Sequence, residues 1–216
     1  MNTKEIYILG AGGMAREAYQ IYKDNKTNIL IKSFIVNLEK NQIREIYSIP
    51  VKSENDLANN GLLIAAIGSP IRKTWVNQLE NKNFKFDTII HRSANIGTGT
   101  KIGTGSIICA NAVLTCDLQI GNHSIINVNS SIHHDCEIGN FVTIGPGSNI
   151  VGRVHINDES FIGAGVTVIP GITIGKSVLI GAGSVVVSDI PDYVVAYGVP
   201  AKIIRKITDK DWNTLI

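Results

Sequence analysis

The stretch Asn127, Asn129, Ser130, Ser131, His133, His134 and Asp135 gathers the side chains of this chain best suited to moving a proton. A neutral imidazole accepts a proton near pH 7, and a neighbouring carboxylate stabilises the imidazolium or fixes the tautomer of the ring. His134 followed by Asp135 is therefore a candidate general base with its acidic partner. A bland alternative is a pair of solvent-facing histidines at a corner of the chain. Metal binding is a sharper one: neighbours on an extended segment point opposite ways, so His133, His134 and Asp135 supply at most two ligands. A third would have to come from His123, His155 or another subunit.

Two glycine turns are candidates for holding a ligand, the first of them a phosphate. Gly10-Ala11-Gly12-Gly13-Met14-Ala15 follows an apolar strand at Glu5 to Leu9 and precedes a helix over about 16–23. Glycine permits the sharp turn, and the free N–H groups at the start of the helix can meet a phosphate. Gly68-Ser69-Pro70 stands likewise between the apolar run Leu62 to Ile67 and a helix Ile71 to Asn81 that opens on a proline. The two turns are expected side by side at the carboxyl edge of a parallel sheet, where such folds bind ligands. A tight turn in any α/β unit is the plain alternative for each. A dehydrogenase would place an acid near residue 37 for the ribose hydroxyls. The strand Ile29 to Val36 ends instead in Asn37, which argues against NAD.

A ladder of isoleucines must position the histidine. Stepping by six from Ile90 gives Ile96, Ile102, Ile108, Leu114, Ile120 and so on to Val186, seventeen aliphatic positions without a failure. A helical period of 3.6 would scatter them around a cylinder, whereas a short β segment plus a corner repeats every six. Three units close a triangular coil, so each inward isoleucine packs on those 18 residues away. The fifteen units from Ile96 make five coils, a prism about 24 Å long at the usual strand spacing. The glycine after many ladder residues is expected to make the turn. A small residue such as Ser106, Ser124, Ser148 or Cys136 fills the corner, and the outward positions, mostly Thr, Ser, Asn, Lys and Gly, solvate the faces. The segment Ile46 to Val51, with Pro50, reads as an edge strand, followed by a brief helix from Ser53 to Leu57. Periodicity stops at Asp189-Ile190-Pro191-Asp192, and the tail beyond it must cover the end of the prism.

The chain thus divides into a small α/β domain over 1–86, a β-helix over 87–190 and a capping tail over 191–216. Twenty basic and eighteen acidic side chains leave a charge of +2 without a basic run, which disfavours nucleic acid. No apolar run of eighteen residues suggests a membrane span, and Met1 to Glu5 lead into a strand rather than a signal sequence, so a cytoplasmic protein is expected. Cys109, Cys116 and Cys136 read as reduced packing residues, neither disulfide nor metal ligands.

Three motifs in order carry a resemblance: the opening Gly10 to Ala15, the run Asn127 to Gly145 around His-His-Asp-Cys, and the ending Tyr197-Gly198-Val199-Pro200-Ala201-Lys202. Together they resemble the sialic acid O-acetyltransferase family, which includes the nucleotide-sugar N-acetyltransferases of bacillosamine and perosamine pathways. The resemblance covers nearly the whole chain. It implies a left-handed parallel β-helix after a Rossmann-like domain, in an acetyl-CoA-dependent homotrimer with sites between subunits; with at most two ligands from the histidine segment, no metal is expected. It makes His134 the catalytic base and Asp135 its acidic neighbour. It implies acetyl-CoA contacts at Gly152, Gly163, Ala164, Gly181, Ala182, Pro200 and Lys202. A nucleotide sugar would lie against Gly10, Gly12, Gly13, Met14, Asn37, Gly68, Ser69 and Asn127. Relatives that take UDP-sugars carry an acidic pair where this chain has Val36-Asn37, so the identity of the nucleobase, and the use of a nucleotide sugar at all, stay open, as does O-acetylation of a free sugar such as sialic acid. A non-catalytic prism scaffold has no reason to place His134 and Asp135 on a bland face. A nucleotidyltransferase with the same prism would need a larger first domain than about 86 residues.

Overall fold

The computed structural model describes residues 4–25, 28–36, 44–57 and 61–213. Its first part is a six-stranded sheet of β1 (Lys4–Leu9), β2 (Ile29–Val36), β3 (Glu45–Ile46), β4 (Ile49–Ser53), β5 (Leu62–Ala65) and β6 (Lys85–Phe86). The order is β3-β4-β2-β1-β5-β6, parallel except for the β3–β4 hairpin. Crossing from β1 outward in both directions is the arrangement of a Rossmann-like unit. Period-two burial sends Ile6 and Ile8 towards α1 (Gly13–Asp24) and Tyr7 and Leu9 towards α2 (Arg72–Asn81). Pro50 does not lie on an edge strand: β4 is covered by β3, which takes the edge, and Pro50 sits opposite Glu45 before the parallel pairing begins.

From Ile89 a two-residue strand starts every six residues, seventeen in all, β7 (Ile89–Ile90) to β23 (Val185–Val186). Each ends on a residue of the aliphatic ladder. They stack as three parallel sheets holding six, six and five of them, so five coils are completed and two further strands begin a sixth. Inward residues sit directly on one another, Ile108 on Ile126 on Ile144. Burial is complete through most of the prism, while Ile90 at its start is 36% exposed because no coil lies beneath it.

The corners work differently from the expectation. Left-handed backbone falls on the third residue after the ladder, at Gly99, Gly105, Asn111, Asp117, His123, Asn129, Asp135, Phe141 and every sixth residue to Gly183. Most of these are not glycine. The glycines that follow the ladder residue have no positive φ; they are required by close approach. A Cβ on Gly97 would lie 1.3 Å from Thr115 O, and one on Gly145 2.6 Å from the carbon of Gly163. Where the corner holds serine or cysteine, its side chain connects successive turns of the chain. Ser124 Oγ donates to Gly139 O at 2.7 Å, Ser148 Oγ to Gly163 O at 2.8 Å and Cys136 Sγ to Val151 O at 3.1 Å. Burial pushes the Cys136 thiol up, and that of Cys109 to about 12. All three cysteines are free.

One prism face is not solvated. Its outward residues Ile89, Ile107 and Ile125, with Cys109, are buried in a common cluster with α1 and the sheet, and Phe141 joins the α2 side. The doublets Ile89-Ile90, Ile107-Ile108 and Ile125-Ile126, 18 residues apart, carry this in the sequence. The outer residue of each pair docks the α/β part and the inner one fills the prism.

The ladder does not end at Val186. Ile190 bridges to Ile174 and Ala196 pairs with Ile180, each after sixteen residues instead of eighteen. β24 (Val194–Gly198) thereby adds a rung to the docked face, and β25 (Ala201–Lys206) turns back antiparallel as its edge. A short helix, α3 (Asp209–Asn213), returns to the first domain, where Ser69 Oγ donates to Trp212 O at 3.0 Å.

Candidate active site

His134 stands on the edge between the second face of the prism, with outward residues Val113, Ser131, Asn149 and Thr167, and the third, with Gln119, Glu137 and His155. Two features of the fold present its ring. Asp135 takes the left-handed corner, φ 61°, where a short polar side chain is tolerated best after glycine. Its carboxylate reaches back to the neighbouring ring, with Oδ2 2.8 Å from His134 Nδ1. The other half of the setting is Gly152 in the next coil: a Cβ there would lie 2.5 Å from His134 Cε1 and 2.6 Å from Nε2. Glycine is thus the space into which the imidazole folds.

The chemistry follows from the pairing. A carboxylate accepts the Nδ1 proton, which leaves the Nε2 lone pair as the basic site. Both side chains are about half exposed, so the ring is accessible from solvent. Beside it the Gly152 N–H finds no acceptor among the described residues. Such a donor, fixed by the coil, suits an oxygen on which charge develops.

The other expected residues fall into separate groups. Gly163, Ala164, Gly181 and Ala182 stack on the edge between the docked and second faces. There the Ala164 and Ala182 N–H groups also lack acceptors among the described residues, while Gly163 and Gly181 donate to Ile180 O and Ala196 O. Asn127 lies on this same edge, but its amide is spent on Ile144 O at 2.9 Å. Pro200, Ala201 and Lys202 belong to the terminal hairpin, with Lys202 exposed and Ala201 buried. Gly10, Gly12, Gly13 and Met14 form the β1–α1 turn, tightly against the β5–α2 turn: a Cβ on Gly10 would lie 2.9 Å from Ala66 O. Gly68 and Ser69 lie in that second turn, yet Ser69 is wholly buried and its hydroxyl is engaged by Trp212, so it holds α3 rather than facing an open site. Asn37 lies outside the described residues.

The histidines do not converge. His133 turns towards Ser131 Oγ, 3.4 Å away. His155 Nδ1 pairs with Glu137 Oε2 at 3.3 Å on the third face. His123 is buried at the domain junction, stacked on Phe141 and edge-on to Phe86, with Nε2 3.2 Å from Glu80. No group of three or more His, Cys, Asp or Glu side chains that could hold a metal occurs among the described residues.

Residue-level reading missed Arg72, whose guanidinium is completely buried at the same junction. It donates to the carbonyls of His123 and Val142 and to Thr143 Oγ1, all at 2.8–2.9 Å. Its only signal in the sequence is a cation in the first turn of α2, where the helix dipole favours acids.

The family model described as bacterial transferase hexapeptide (six repeats) matches residues 117–152 and 153–188. Comparison with curated proteins gives no match. Among solved structures, perosamine N-acetyltransferase from Caulobacter crescentus, bound to CoA and GDP-perosamine, is 30% identical with a TM-score of 0.83. The match covers 94% of this chain and 98% of that one. WeeI from Acinetobacter baumannii AYE is 29% identical over 94% of this chain and all of its own, TM-score 0.86. The acetyltransferase domain of PglB from Neisseria gonorrhoeae FA1090, in complex with acetyl coenzyme A, is 28% identical over 94% of this chain and all of that one, TM-score 0.86.

Proposed function

We propose a reaction for this chain, which belongs to the left-handed β-helix, hexapeptide-repeat family of sugar acetyltransferases: it moves an acetyl group from acetyl-CoA to the amino group of a nucleotide-activated amino-deoxysugar destined for a surface glycan. The observation that carries the reading is His134, with Nδ1 held by Asp135 at 2.8 Å and Nε2 free beside the unpartnered N–H of Gly152.

In this reaction His134 Nε2 takes the proton that the acceptor nitrogen loses as it attacks the thioester carbonyl; the adduct then collapses with cleavage of the C–S bond, and the departing CoA thiolate takes the proton back from the imidazolium. Asp135 stabilises the imidazolium so formed and keeps the ring turned to the same side. The Gly152 N–H meets the carbonyl oxygen as its charge grows. Ala164 and Ala182, on the other edge, offer N–H groups to the amide carbonyls of the pantetheine arm, and Lys202 offers a point charge to a phosphate of the cosubstrate. The turns at Gly10–Met14 and Gly68 hold the nucleotide of the acceptor. On this reading residues 1–86 bind the acceptor, 87–190 carry out transfer and 191–216 cap the prism.

A homotrimer completes the site. His134 and the Ala164–Ala182 column lie on the two edges that flank the second face, so one chain does not bring them together across it. Turning three second faces to a common axis sets one edge of each chain against the other edge of its neighbour. The outward residues Val113, Ser131, Asn149, Thr167 and Val185 carry no charge, which suits this face for burial, whereas Lys101, Glu137 and His155 mark the third face for solvent. No helix among the described residues is long and apolar enough to cross a membrane. Use of acetyl-CoA fits a cytoplasmic enzyme.

The test is acetyl transfer from acetyl-CoA to UDP-, GDP- and dTDP-linked 4-amino sugars and to free sialic acid, followed by thiol release and product mass. Acetylation of a nucleotide-linked amine is the expected result. Acetylation of sialic acid alone would replace it with the O-acetyl reaction, and thiol release with no acceptor in the panel would remove both.

A further inference from the structure

We propose that Arg72 and Thr143 form a latch that positions the Gly68 turn of the acceptor site against the prism. Both are positioning residues for acetyl transfer; neither touches the reacting atoms. The proposal rests on the acceptor reading of the two glycine turns.

Thr143 is an outward residue of the docked face, in the coil between Ile125 and Phe161, and is 1% exposed. Its hydroxyl donates to Gly68 O at 2.8 Å and accepts from Arg72 Nη1 at 2.9 Å. The same Nη1 also donates to Gly68 O at 3.3 Å, which closes a ring of three groups. The rest of the fork is fastened to the prism. Nε and Nη2 both donate to His123 O, at 2.9 and 2.8 Å, and Nη2 donates to Val142 O at 2.9 Å. The guanidinium thus ties the turn after β5 to two successive coils.

Apolar contact does not require this arrangement. Ile89, Ile107 and Ile125 already seal the junction, and taking a cation out of water with no carboxylate partner among the described residues is costly. The burial shows in the arginine itself, whose pKa is lowered to about 9. What the fork supplies that isoleucine cannot is direction: several hydrogen bonds at fixed angles define one position of the turn. Because the Gly10 turn packs against Ala66 and Ile67, a fixed Gly68 turn fixes that one too. Transfer depends on such placement, since a displacement of about 1 Å costs on the order of 100-fold in rate.

Thr143→Val keeps the shape and removes the hydroxyl, Thr143→Ser restores it, and Arg72→Lys keeps the charge without the fork. Amide exchange over residues 66–71 is expected to quicken about 10-fold in Thr143→Val and Arg72→Lys, with the prism strands unchanged and Thr143→Ser like the parent. With the 4-amino sugar accepted in the panel above, the KM for the sugar should rise about 10-fold while that for acetyl-CoA stays constant. Unchanged exchange in Thr143→Val would overturn the latch. So would faster exchange with parental kinetics, or equal rises in both KM values, which mark a general loss of structure. Should the parent protein acetylate no member of the panel, the acceptor reading falls on that result, and the exchange data alone decide the latch.

Discussion

At the scale of single residues, His134 is distinguished by what its two neighbours leave free. Asp135 occupies one ring nitrogen and Gly152 vacates the space for the ring, so an exposed histidine has the arrangement that the proposed general base needs without being buried. His134→Ala is expected to lower kcat about 100-fold or more. Stability should stay within about 0.5 kcal/mol, because a half-exposed side chain contributes little core. Asp135→Asn is the informative companion: asparagine tolerates the left-handed corner, so the fold is kept while the carboxylate is lost. Its expected cost in kcat is smaller, about 10-fold. Steady-state rates with melting temperatures check both, and parental turnover in His134→Ala would refute the base. The pair was legible in the sequence because both residues interrupt a repetitive face. The role of Gly152 as a cradle was not, since the residue it accommodates lies 18 positions earlier.

At the scale of elements, the corner is the unit that matters. From Gly99 to Gly183 each corner puts its left-handed residue third after the ladder, while the glycines directly after the ladder residue, and Gly152 second after it, have ordinary φ and are set by close contact. A glycine of this second kind therefore reports what stands in an adjacent coil. Gly152→Ala is expected to leave the strands intact, because φ there is not left-handed, and to push the imidazole aside. The predicted signature is a fall in kcat comparable to that of His134→Ala with little change in melting temperature. A variant with parental kcat would show that the ring does not need this position. The same logic explains why the docked face was misread. Outward positions look alike in composition, and only the doublets at 18-residue spacing separate a face that docks from one that meets water.

For the whole molecule, the junction between the α/β part and the prism concentrates the buried polar groups. His123 is held below the ordinary imidazole value of 6.5, chiefly by burial and also by Arg72, with Glu80 pulling the other way. Its faces are closed by Phe86 and Phe141. The folded protein then binds the proton less readily than the unfolded chain. This contribution to stability is fully present above 6.5 and is lost as pH falls through the folded value. The melting temperature is expected to drop between pH 7 and pH 5, and to drop less in His123→Phe, which keeps the stacked ring and cannot ionise. Equal slopes would remove His123 from the account. Assembly is a second property at this scale. Sedimentation should give a mass near three chains, and Thr167→Asp on the second face should lower it together with activity; a monomeric parent with full turnover would exclude a shared site.

Much of this molecule follows from local rules that a linear sequence records directly. Six-residue periodicity dictates the coil, aliphatic residues that recur every six must face inward, and β1, α1, β2, β5 and α2 follow from apolar runs and turn residues. A histidine with an acidic neighbour likewise needs no third dimension to be noticed. Other properties depend on pairs of residues far apart in the chain. Only the folded structure sets Gly152 under His134, adds Ile190 and Ala196 to the ladder after a two-residue deletion, and spends Ser69 on Trp212. It also buries Arg72 between Gly68, His123 and Thr143. The reason is physical: periodicity constrains what each residue does within its own coil, whereas contact between coils and between domains is decided by which surfaces meet.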